Sequence, residues 1–159
     1  MIHFFDANIE KYGSAHRQNE WSHRTIGDYA LSAKADRDVL RLLNRVKFHV
    51  MDAIREFFGV RFIYPQASQL VIWPEGSEQP EHVDTYFPDT SFSAILYLNE
   101  NFEGGETFFI DPAHRILPQV GALLAFDGAT LEHGVGRVTR GTRYTNAMWF
   151  TGNIRSVGP

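Results

Sequence analysis

With 159 residues, no cysteine and a net charge of −4, the chain suits one domain that buries most of its apolar surface without staples. The missing thiols exclude disulfides, thiolate nucleophiles, iron–sulfur ligation and zinc-finger sites, leaving His, Asp and Glu as the strong metal ligands. The chain has no Lys/Arg block, no signal-peptide pattern and no run of about 20 apolar residues, so a cytoplasmic protein binding neither nucleic acid nor membrane is expected, with small molecules or protein segments as partners.

The apolar start, Met1 to Ile9, predicts a short edge strand. Lys11 to Tyr29 is mostly polar and reads as loop, with Trp21 and Tyr29 either covering the core edge or forming a substrate lid. Between Ser32 and Phe58, Val39, Leu42, Leu43, Val46, Val50, Ile54 and Phe57 recur at three- and four-residue steps. That spacing predicts a long amphipathic helix covering one sheet, with Ser32 as N-cap, Gly59 as stop and the charges, Lys47 among them, on the other side. His49 lies within it without a partner at ligand spacing and is assigned no role. From residue 60 to about 152 short apolar runs alternate with Pro and Gly breakers: Phe62 to Tyr64, Gln69 to Trp73, Phe92 to Asn99, Glu106 to Ile110, Ala122 to Phe126 and Arg143 to Phe150. The expectation is a single domain over 1–159, mainly β, in which residues 1–59 support a jelly-roll core of the double-stranded β-helix, cupin-like type.

Within that core, His82 and Asp84 stand two apart in a stretch read as extended, so both side chains should leave one strand face. With His133 they would form a two-His-one-carboxylate set, which leaves positions open on ferrous iron. In the last strand Arg143, Thr145, Ala147 and Trp149 share a face: a cation, two small residues and a bounding indole that suit an anionic ligand. Tyr97 and Thr107 can add hydroxyls to the same carboxylate. Taken singly, such histidines, aromatics and arginines are ordinary structural residues. Their joint order carries the argument, whereas Phe126 and Phe150 read as core and Gly104-Gly105 as a tight turn.

These residues resemble the iron(II) and 2-oxoglutarate dependent oxygenases, in the prolyl-4-hydroxylase-like branch. The match runs in order through His82-Val83-Asp84, Leu96-Tyr97-Leu98-Asn99, Gly104-Gly105-Glu106-Thr107, Gly121 to Phe126, His133-Gly134-Val135, Gly141-Thr142-Arg143-Tyr144 and Trp149-Phe150. The resemblance implies that His82, Asp84 and His133 bind iron, and that Arg143, assisted by Tyr97 and Thr107, holds the far carboxylate of 2-oxoglutarate. It further implies hydroxylation of an aliphatic C–H by O2, with succinate and CO2 as coproducts, ascorbate as a candidate reductant, and a prolyl residue, proline or related amino acid as substrate. Many relatives carry Tyr where this chain has Trp73 and Gln79, which alters one pocket edge, and collagen-type enzymes carry Lys in place of Arg143. The Thr85 to Thr90 segment is short where relatives often have a loop that closes over a peptide. Two other readings use the same residues: a cupin-like metalloenzyme of another reaction type, which has no need of an inward Arg143, and a silent jelly-roll binding module.

Overall fold

The computed structural model describes residues 1–15, 24–28, 30, 37–85, 89–111 and 113–157. Trp21, Tyr29 and Ser32 lie outside the described residues, and so do residues 86–88 of the short segment after Asp84.

The chain opens with a short helix, α1 (Ile2–Tyr12), where an edge strand is expected. Phe5 and Ile9 explain the correction: four residues apart, they fall on one helix face, and both are buried against Ile26, Leu43, Leu70 and Ile72. Two short strands, β1 (Ser14–Ala15) and β2 (Arg24–Gly27), precede the long helix, α2 (Arg37–Phe58). The glycine that follows α2, Gly59, has φ 66°, a left-handed stop that glycine adopts without a Cβ penalty. The buried stripe of α2 is Leu43, Val50, Met51 and Ile54, with Val39 and Val46 packed against the core as expected; of the predicted apolar positions Leu42 and Phe57 are exposed, Phe57 at 83%. Lys47 lies beside this stripe rather than on the outer side. Its ammonium meets Asp28 at 2.8 Å, and the same Asp28 oxygen accepts from the backbone N–H and hydroxyl of Ser68.

The remaining strands are β3 (Tyr64–Trp73), β4 (Gln79–His82), β5 (Thr90–Tyr97), β6 (Glu103–Gly104), β7 (Thr107–Phe109), β8 (His114–Ile116), β9 (Leu123–Phe126), β10 (His133–Val135), β11 (Val138–Arg140) and β12 (Arg143–Thr151). They form an antiparallel six-stranded sheet in the order β1-β2-β3-β12-β5-β9, a four-stranded sheet β4-β10-β7-β8, and a small β11-β6 pair. Pro65 does not break β3 as a breaker would. It stands where the ladder with β12 shifts register, between Trp149 and Phe150, a position at which a missing N–H is tolerated.

The large sheet is buried on both faces. Its outer residues Ala94, Met148 and Phe150 pack on Val50, Met51 and Ile54 of α2. Its inner residues Val71 and Trp73 pack on Val135 and Val138, which closes a second core facing the smaller sheet. No helix among the described residues is long and apolar enough to cross a membrane.

Candidate metal centre and carboxylate pocket

Register brings the two histidines together. His133 in β10 stands opposite His82 of β4 on one side and Phe109 of β7 on the other, and the imidazole rings lie 4.5 Å apart. Asp84 lies beyond the end of β4, so the pair does not leave a single strand face as expected. Its backbone N–H donates instead to the Gly128 carbonyl at 2.8 Å, which ties it to the turn after β9 and leaves its carboxylate between the rings. Asp84 Oδ1 is 3.7 Å from His82 Nε2, and Oδ2 is 3.7 Å from His133 Nε2. One donor atom from each of the three residues falls within 4.8 Å of the others, a separation that can hold a metal ion.

The backbone selects the tautomer of both rings. His82 Nδ1 is 3.0 Å from the Pro80 carbonyl and His133 Nδ1 is 2.9 Å from the Leu131 carbonyl. A carbonyl only accepts, so each Nδ1 carries the proton and each Nε2 keeps a lone pair. Burial holds the His133 imidazole below its ordinary pKa, against the opposing pull of Asp84, which favours the neutral ring a metal requires. Its ring packs edge-on against Phe126, with centroids 4.5 Å apart, and Phe109 adds a second apolar wall. The His82 side is the more open one, and there the Gln79 amide nitrogen lies 3.2 Å from His82 Nε2. Ser93, deeply buried on β5, donates to Asp84 Oδ2 at 2.5 Å.

A second polar group lies deeper between the sheets. Arg143, 1% exposed, sends a guanidinium N–H to Thr107 Oγ1 at 3.3 Å, and the Tyr97 hydroxyl meets the same oxygen at 2.8 Å. The aromatic rings of Trp73 and Tyr97 lie 5.1 and 5.5 Å from the guanidinium carbon. Trp73 directs its indole N–H to Thr145, not to the cation. Burial pushes the Arg143 guanidinium down to about 10, so it stays charged at neutral pH. No carboxylate pairs with it among the described residues, and its buried Nε has no partner. A desolvated cation with an unused donor fits a ligand carboxylate.

Arg143, Tyr97, Thr107 and Trp73 therefore come together, as do His82, Asp84 and His133. Trp149 does not join the arginine: register places it opposite Ser93 and Ala67, toward the Asp84 end of the same face. Ser93, Gly128, Phe109 and the half-role of Phe126 beside His133 were not singled out by sequence. The available signal was that Ser93 shares a strand face with Tyr97.

Residues 66–151 match the sequence model of a family described as the 2OG-Fe(II) oxygenase superfamily. Over 66 residues, 38% of this chain and 9% of the other, the chain is 44% identical to human prolyl 3-hydroxylase 3. Over 92 residues, 54% of this chain and 13% of the other, it is 38% identical to rat prolyl 3-hydroxylase 2. The matched stretches thus span only about a tenth of the length of these curated relatives. Among solved structures, a prolyl hydroxylase from Trichoplax adhaerens, in complex with a hypoxia inducible factor oxygen degradation domain peptide fragment, superposes with a TM-score of 0.75 at 15% identity, covering 95% of this chain and 74% of that one. A Pseudomonas putida prolyl-4-hydroxylase superposes with a TM-score of 0.65 at 22% identity, covering 96% and 84%. At such identities the likeness speaks for the fold, the jelly-roll type of these oxygenases.

Proposed function

Because the chain belongs to the 2OG-Fe(II) oxygenase superfamily, we propose that it is a 2-oxoglutarate-dependent dioxygenase that hydroxylates an aliphatic C–H of a prolyl residue, proline or a related amino acid. His82 Nε2, Asp84 and His133 Nε2 would hold ferrous iron, and Arg143 with Thr107 and Tyr97 would hold the far carboxylate of 2-oxoglutarate. The observation that carries this reading is the buried Arg143 with an unpartnered donor, on the same interior as the His-Asp-His group. A metal site of another reaction type has no use for that cation.

Iron, 2-oxoglutarate and O2 supply the oxidising chemistry, with succinate and CO2 as coproducts. The chain's own residues bind, orient and exclude water. The Pro80 and Leu131 carbonyls fix the imidazoles, Phe126 and Phe109 keep the His133 side dry, and Val71, Trp73, Val135 and Val138 enclose the clamp end. Gln79, beside His82, and Trp149, opposite Ser93, would form the substrate side of the metal end. The names of the relatives support a prolyl substrate. Localisation in the cytoplasm and a single catalytic domain complete the proposal.

The test is a product screen with iron and 2-oxoglutarate, one arm offering proline-containing peptides and the other free amino acids. Succinate formation together with a product that gains one oxygen is expected in one arm, and absent for Asp84→Ala. Equal turnover by Asp84→Ala would reject the assignment.

A further inference from the structure

We infer that Ser93 is a positioning residue that breaks the symmetry of the Asp84 carboxylate, reserving Oδ1 for the metal and withholding Oδ2. The inference rests on the proposed iron site and deepens it. The two Asp84 oxygens are placed alike, each 3.7 Å from the Nε2 of one histidine, so nothing in the His-Asp-His group itself decides which oxygen ligates or whether both do. Binding through both would use a coordination position that the cosubstrate and O2 need. Ser93 supplies the missing distinction. Its hydroxyl lies 2.5 Å from Oδ2 and donates to it, so that oxygen already has a partner that Oδ1 lacks from β5.

The surroundings are built around this contact. Ser93 is 3% exposed, and its register partners are Trp149 on one side and Phe126 on the other. A Cβ at Gly128 would lie 1.9 Å from Ser93 Oγ and 3.2 Å from Asp84 Oδ2, so only glycine leaves room for the hydroxyl there. The Gly128 carbonyl meanwhile accepts the Asp84 backbone N–H at 2.8 Å, which fixes the chain from which the carboxylate projects. Strand β5 thereby holds the Oδ2 oxygen, and the turn after β9 holds the backbone from which it projects.

The test compares the parent protein with Ser93→Ala and Ser93→Gly, using Mn(II) and Co(II) calorimetry and the visible absorption of the Co(II) forms, with thermal melting as the folding control. Partners of metal ligands are typically worth about 10- to 100-fold in metal affinity, so Mn(II) affinity should change by roughly that factor. The Co(II) absorption should also change, because the number of oxygens on the metal changes, whereas a residue that only packs would leave it unmoved. If Ser93→Ala does not fold, Ser93→Gly, which removes the hydroxyl without adding bulk, decides by the same readouts. A folded variant with the parent's Mn(II) affinity to within twofold and the parent's Co(II) spectrum overturns the inference alone. A parent that takes up neither ion overturns the site assignment as well.

Discussion

Arg143 shows how one residue can declare a ligand. A guanidinium taken out of water needs compensation, and two aromatic faces and the hydroxyls of Thr107 and Tyr97 leave its Nε unused. Gly128 carries the same kind of local information through the space it leaves empty. Gly128→Ala should push Ser93 off Asp84, because a Cβ there would lie 1.9 Å from Ser93 Oγ and 2.8 Å from Ser93 Cβ, so the serine must give way. The expected cost is about 1–3 kcal/mol of stability, as for other overpacked interiors, with Mn(II) affinity reduced roughly tenfold or more. Urea melts and calorimetry measure both, and a parent-like result in each would show that the turn yields freely. That His82, Asp84 and His133 gather, and that Arg143 meets Tyr97 and Thr107, was legible in the sequence because the order of these residues is specific. Ser93 and Gly128 were not, since a serine and a glycine become informative only once β5 and the turn after β9 are side by side.

At the scale of elements, what could be read was the kind of segment, and what escaped was phase and ends. The long helix was legible from its three- and four-residue steps. The place of Lys47 beside the buried stripe was not, because its partner Asp28 lies 19 residues away in sequence. The N-terminal segment has too few apolar residues to separate a strand from a helix by pattern, and contact with Leu43 and Leu70 decided it. Helix α1 is tied down by Phe5, packed edge-on to Tyr144, and by the Tyr144 hydroxyl donating to Asp6 at 2.7 Å. Burial, reinforced by Asp6, pushes the Tyr144 phenol up to about 12 from an ordinary 10.0. Below pH 10 the phenol is protonated in both folded and unfolded chains, so its contribution is complete. Between about 10 and 12 the unfolded chain sheds a proton that the folded one keeps, so stability must fall as pH rises. Tyr144→Phe should lose that part of the alkaline decline while being less stable near neutral pH. Denaturant melts of both proteins from pH 8 to about 11.5 read the difference in slope, and parallel curves would contradict the Tyr144–Asp6 anchor.

Across the whole molecule, the site exists only when the two sheets face each other. His82 and His133 belong to the smaller sheet, whereas Arg143 and Ser93 belong to the larger one. The jelly-roll class was legible from short runs and breakers, but strands as brief as β10, with three residues, were not, since their pairing is decided by neighbours. A site assembled by tertiary closure should stabilise the closed state when filled. Mn(II) at about 100 times its Kd should add about 2.7 kcal/mol, which for a chain of this size raises Tm by roughly 5–10 °C, and Asp84→Ala should show no rise. Differential scanning calorimetry checks this, and equal shifts in both proteins would place the ion elsewhere. The most direct measurement is an anaerobic titration of 2-oxoglutarate into the iron(II) protein, following the metal-to-ligand absorption band in the parent and in Arg143→Ala. Removing one partner of a buried ionic pair costs about 3–5 kcal/mol, so the variant should bind 2-oxoglutarate weaker by roughly two to four orders of magnitude with little change in iron affinity. Equal binding by parent and variant, or no band in the parent, would contradict the account.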